Sequence, residues 1–118
     1  KAATKINQSF PKFIYKKMKK RFGTKLKSKN IGILGVAFKS DIDDIRDSLS
    51  INLYKYLKKK KLKVNISDEF VKMKEIRDKK KLIKQSNIII LGVPHTSYKN
   101  MKIPKSKYLI DSWGFFER

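Results

Sequence analysis

The run NIIILGV, residues 87–93, constrains this chain more than any other stretch. Ile88 to Leu91 present no polar face to water, so a strand built from them needs cover on both sides, and Pro94 ends it. IGILGVAF, residues 31–38, has the same character: almost continuous apolarity, interrupted by Gly32 and Gly35, closing in a tight turn. Strands buried on both faces belong to parallel sheets, and parallel neighbours need crossover segments that lie over the sheet. The rest of the chain should therefore supply helices between strands.

It carries the signals for them. Ser9 followed by Pro11 reads as a helix start, and Phe10, Phe13, Ile14, Met18 and Phe22 recur at helical spacing until Gly23 stops the pattern. Residues 24–30 are polar and basic and read as a loop. Asp47 or Ser48 can cap a second helix with the face Leu49, Leu53, Tyr56 and Leu57, whose last turn holds the lysine run 58–61 where the dipole favours cations. LKVNI, residues 62–66, alternates as a strand does and closes on Ser67 and Asp68. Asp78 is placed to cap a short helix through Gln85 bearing Leu82 and Ile83, while residues 69–77 carry no clear period. A turn or short helix around Ser97 to Met101 and a fourth strand, YLID at 108–111, complete the chain. This order predicts an α/β fold: an open, mainly parallel sheet of Rossmann-like type with flanking helices and right-handed crossovers.

Composition narrows the function classes. At 118 residues the chain is one domain's worth. It begins at Lys1, which suggests a processed chain or a piece of something longer. No apolar run approaches the length of a membrane span, and the basic start is not a signal peptide, so a soluble, cytoplasmic protein is expected. Cysteine is absent, which removes disulfides, thiolate metal sites and a cysteine nucleophile from these residues. With 31 basic against 10 acidic residues the formal charge is +21, which attracts polyanions and makes a nucleic-acid-binding module one alternative. Against it, arginine occurs only at 21, 46, 77 and 118, and the lysines spread over nearly every segment, as AT-rich codon usage would also produce. A free-standing nucleotide-binding protein is a further alternative.

Open parallel sheets bind ligands at the carboxyl ends of their strands, which here are Gly35 to Lys39, Asp68, Pro94 with His95, and Asp111 to Gly114. Gly32 and Gly35 do not make the G-x-G-x-x-G fingerprint, and Asp68 lies 33 positions beyond Gly35; a dinucleotide-binding acid would be about 20 further on. The extra length is FKSDIDDIRDS, so a helix N-terminus alone is not available to cradle a pyrophosphate, and charged side chains must carry any phosphate contact. Lys39 stands just past the strand end as a mobile point charge. Asp43, Asp44 and Arg46 suggest an arginine held by a carboxylate fork, an arrangement that serves loop packing as often as ligand binding. The aspartates match no metal cage, so no metal is expected. His95 reads as a turn residue bonded to backbone, Asp68 as the cap of the following turn, and the phenylalanines and tyrosines at helical spacing as core or interdomain packing.

GVAFKSDIDDIRDSLSINLYKYL resembles the start of the carboxy-terminal domain of the UDP-glucose/GDP-mannose dehydrogenase family, in the pattern G-x-A-F-K-x-x-x-D-D-x-R-x-S. INQSFPKF at 6–13 resembles the segment leaving that family's central helix, and KVNISDEF, NIIILGVPHTSYKNM and YLIDSWG resemble its later strands. The resemblance implies residues 1–23 as the helix leaving a central domain and 24–118 as the nucleotide-sugar-binding α/β domain. It implies Phe38 and Lys39 as substrate contacts, Arg46 as an NAD contact with Asp43 and Asp44 as its positioning frame, and no catalytic residue in this chain. The full enzyme would oxidise the C6 hydroxyl of a UDP-sugar to a carboxylate with NAD, using a cysteine that this chain lacks. Its partners would be the UDP-sugar and the enzyme's other domains, within a homo-oligomer and without specific nucleic acid or membrane. Since assembly would run through the central domain, this chain alone is expected as a monomer or weak dimer. DDIRDSLS followed by VPHTSY is most similar to the enzymes acting on UDP-N-acetylhexosamines, with UDP-glucose the other option. An arginine that some members carry after the last strand's aspartate is replaced here by Ser112 and Trp113, and Trp113 is expected to pack near the site.

Overall fold

The computed structural model describes residues 9–116. Four strands, β1 (Asn30–Leu34), β2 (Lys63–Ser67), β3 (Ile88–Leu91) and β4 (Tyr108–Ile110), form one sheet in the order β2-β1-β3-β4. Every pairing is parallel, with Ile33 opposite Ile66 on one side and Ile90 on the other. Three helices cover it: α1 (Ser9–Phe22), α2 (Leu49–Lys59) and α3 (Lys79–Gln85). None of the described helices is long and apolar enough to cross a membrane. Residues 1–8, including the start of INQSFPKF, lie outside the described residues.

The apolar strands are buried on both faces because their alternate residues enter different cores. Ile31, Ile33, Ile88 and Ile90 join α1 and α2 through Ile14, Met18, Leu53 and Leu57. Leu34, Ile89 and Leu91 turn the other way, to Leu82 of α3, Tyr98 and Ile103. Gly32 faces α3 so closely that an added Cβ would lie 2.4 Å from the Leu82 side chain. The glycine that interrupts the first apolar run thus lets a helix approach the sheet.

Helix ends follow their capping chemistry. Ser48 caps α2, accepting from the Ile51 amide at 3.1 Å, and Asp78 caps α3, accepting from the Lys81 amide at 3.1 Å. Three expectations change. The stretch read as a loop at 24–30 holds a 3-10 helix, Gly23–Ser28, because Leu26 within it is buried in the main core. Leu49, placed on the buried face, is 51% exposed; a row of residues four apart drifts roughly 40° round a helix at each step, and the buried face centres on Ser50, Leu53 and Leu57. Phe13 is likewise exposed, one position round the helix from Ile14, while Phe10 and Phe22 pack at the core margin.

Candidate functional site

β1 stops at Leu34 because Gly35 takes a left-handed turn, φ +90°, with its amide on the Ser67 carbonyl at 2.8 Å. An added Cβ there would lie 2.7 Å from the Val93 carbonyl oxygen, so only glycine fits. Gly92, at the end of β3, is as crowded: its Cβ would come within 2.4 Å of the Ser50 hydroxyl at the start of α2. Small residues therefore bring three chain segments together at the carboxyl edge of the sheet.

From there the chain leaves the core as a loop instead of entering α2 directly. Val36 and Ala37 are buried, and both donate their amides to Asp68 Oδ2, at 2.7 and 3.0 Å. Ile42 and Ile45 dip back against the main core, which is why an acidic stretch can hold a fixed shape. Phe38 and Lys39 face outward, Phe38 51% exposed, and the Phe38 amide bonds back to the Asp44 carbonyl. Beyond them the Ser40 hydroxyl donates to the Pro94 carbonyl at 2.9 Å. The Asp41 amide reaches His95 Nδ1 at 2.8 Å, and the Asp41 carboxylate accepts from the Thr96 amide and hydroxyl. Those two bonds hold the Asp41 carboxyl below the usual carboxylate range.

Asp44 grips Arg46 by a fork: Nη2 donates to Oδ2 at 2.8 Å and Nε to Oδ1 at 3.1 Å, with the Arg46 amide on Oδ1 at 2.9 Å. The side-chain hydrogen bond lowers the Asp44 pKa to about 2 and raises that of Arg46. The guanidinium is otherwise open, its side chain 87% exposed. Asp43 is exposed and stands outside this fork. The loop therefore offers an exposed phenyl ring, a lysine and an aimed guanidinium along one edge of the sheet.

His95 bonds to backbone and Asp68 caps a turn, as the sequence suggested, but sequence reasoning missed that the two pair with each other. Both are buried, and His95 Nε2 lies 2.8 Å from Asp68 Oδ2. Because Nδ1 faces an amide donor it must accept, which leaves the proton on Nε2 to be donated to Asp68. Asp68 also accepts from the Phe70 amide at 2.8 Å, the turn cap that the sequence suggested. Burial works to raise its pKa, and the bonds from His95, Val36 and Phe70 outweigh that, leaving it lowered. The rings of Phe70 and Tyr98 enclose the imidazole at 4.6 and 5.3 Å between centroids. The usable signal was the position of both residues at strand ends. What the sequence lacked was the strand order, which sets the ends of β2 and β3 on either side of β1.

At the far end of the sheet Asp111 accepts from the amides of Trp113 and Phe116, at 3.1 and 2.7 Å, and closes the last turn. Trp113, expected to pack, is 58% exposed, since that turn swings it away from the sheet. Among the described residues no group of three or more His, Cys, Asp and Glu could hold a metal ion.

An open parallel sheet with a braced, charge-bearing loop at its carboxyl edge defines a ligand-binding α/β domain of Rossmann-like type. The model of the UDP-glucose/GDP-mannose dehydrogenase family, UDP binding domain, matches residues 32–118, and the chain belongs to that family. A UDP-N-acetyl-D-mannosamine dehydrogenase of Methanococcus aeolicus is 27% identical over 105 residues, 86% of this chain and 24% of the relative. The chain thus spans about a quarter of the length of that relative. Among solved structures, the native UDP-N-acetyl-mannosamine dehydrogenase of Staphylococcus aureus superimposes with a TM-score of 0.78 at 22% identity, over 95% of this chain and 29% of the other. The UDP-D-ManNAc dehydrogenase of Pyrococcus horikoshii gives 0.77 at 20% identity, over 93% and 28%. Likeness at these identities shows the fold.

Proposed function

We propose that this chain is the nucleotide-sugar-binding domain of an NAD-dependent UDP-sugar 6-dehydrogenase, in which the full enzyme oxidises the sugar C6 hydroxyl to a carboxylate. The observation that carries the reading is the family's F-K-x-x-x-D-D-x-R pattern held on a loop that turns Phe38, Lys39 and Arg46 outward. Lys39 brings an ammonium to the diphosphate, and Phe38 offers an apolar face to the nucleotide sugar. On this reading residues 1–23 lead out of a central domain and 24–118 form the binding domain. The partners are the UDP-sugar and the remaining domains, in a homo-oligomer. The name of the curated relative favours a UDP-N-acetylhexosamine over UDP-glucose.

NAD, when bound, supplies the hydride acceptor. This chain fits a contribution to its site: the left-handed turn at Gly35 leads into a loop, not into a helix N-terminus, so that turn forms no dinucleotide cradle. Arg46 is the group suited to reach it, since Asp44 fixes the guanidinium while leaving it exposed. Asp43, on the same turn, adds negative potential beside it. With no cysteine to attack an aldehyde, the chain by itself is expected to be inactive. The basic-module alternative gains no support from the comparisons.

The test is steady-state kinetics of the full enzyme. Lys39→Ala should raise KM for the nucleotide sugar about tenfold or more, the loss expected for one charge-assisted hydrogen bond. Arg46→Ala should act on KM for NAD instead. Unchanged turnover and KM in both variants would show that these side chains do not form the site.

A further inference from the structure

The loop that carries Phe38 and Lys39 is fixed at both ends by two buried side chains that never reach the surface. On its inner side Asp68 Oδ2 accepts the amides of Val36 and Ala37. On its outer side His95 Nδ1 accepts the amide of Asp41. A single link joins the two anchors, from His95 Nε2 to the same Asp68 oxygen at 2.8 Å. The four residues 38–41 thus span a frame whose posts stand beyond the carboxyl ends of β2 and β3, the two neighbours of β1. His95 and Asp68 are 0% and 1% exposed, so neither can touch a ligand.

We propose that Asp68 and His95 are positioning residues for nucleotide binding, acting by holding the Phe38–Lys39 turn through its backbone amides; this rests on the reading of that turn as the nucleotide-sugar contact. The chemistry restricts what can replace them. The ring at position 95 joins an acceptor toward Asp41 and a donor toward Asp68, the pattern of the Nε2-protonated imidazole, and holding the loop requires the acceptor in particular. Asparagine places an acceptor where Nδ1 stands, and glutamine places a donor where Nε2 stands. The two substitutions therefore separate the bond to the loop from the bond to Asp68. Asp41 itself tolerates the left-handed backbone that the outer post requires, φ +61°, as aspartate does better than most residues.

The experiment titrates UDP into the 118-residue chain by calorimetry, alongside long-range proton–nitrogen spectra of the His95 ring and exchange of the Asp41 amide. The wild-type ring should show the Nε2-protonated tautomer and a protected Asp41 amide. His95→Gln should raise the UDP Kd about five- to tenfold, the effect of losing one ordering hydrogen bond, and speed exchange at Asp41. His95→Asn should restore most of the affinity and the protection. Equal weakening by both substitutions would indicate general loosening and overturn the proposal, as would an Nδ1-protonated ring or a glutamine variant that binds like wild type. A wild-type chain that takes up no UDP would instead overturn the nucleotide reading, and this inference with it.

Discussion

Arg46 and Asp44 show how little an ion pair has to do with stability and how much with aim. The pair is exposed, where such contacts add little to folding, yet its fork fixes a guanidinium that would otherwise sweep a wide volume. Asp44 titrates at about 2 in the folded chain against an ordinary 3.8. The sign follows: the pairing is complete above the ordinary value and is lost as pH falls through about 2, so it persists throughout the physiological range. Carboxyl-detected NMR should place the Asp44 midpoint near 2, and Arg46→Ala should return it toward 3.8. The same variant should leave the melting temperature nearly unchanged. This fork was legible because Asp44 and Arg46 sit two apart in a segment too short to separate them. That Asp44 and not Asp43 forms the fork was not legible, since an irregular loop has no period from which to read side-chain direction.

At the scale of elements, the carboxyl edge depends on close approach more than on any single bond. Gly92→Ala would drive a methyl group to 2.2 Å from the Gly35 carbonyl oxygen, which is backbone and cannot rotate away. The loss should be about 3 kcal/mol in a denaturant titration, at the upper end of overpacking effects. Asp78→Ala should cost about 1 kcal/mol by removing the cap on α3, without effect on ligand contacts. Caps, strands and the lysine-rich end of α2 could all be read from the chain, because each is a local pattern of a few residues. The exposure of Trp113 could not, because it depends on which way the last turn swings from the sheet.

For the whole molecule, 31 cations against 10 anions leave most lysines without a carboxylate to pair with, so self-repulsion opposes the compact state. Added salt screens charges over about 10 Å at 0.1 M, and the melting temperature should therefore rise with ionic strength. A fall would mean that the few ion pairs outweigh the repulsion. The parallel α/β architecture was legible from the alternation of apolar strands with capped helices, whereas the clamp around the loop after β1 was not. Asp68 and His95 come together only once β2, β1 and β3 lie side by side, an arrangement that no local pattern encodes. That dispersal has a consequence in time. A growing chain leaves the ribosome in order, so residues 36–48 emerge before Asp68, and Asp68 before His95 and Thr96. Until β3 has been made, the loop lacks the bonds from Asp41 to His95 and Thr96, and a nascent chain halted earlier holds Phe38 and Lys39 without that outer fastening.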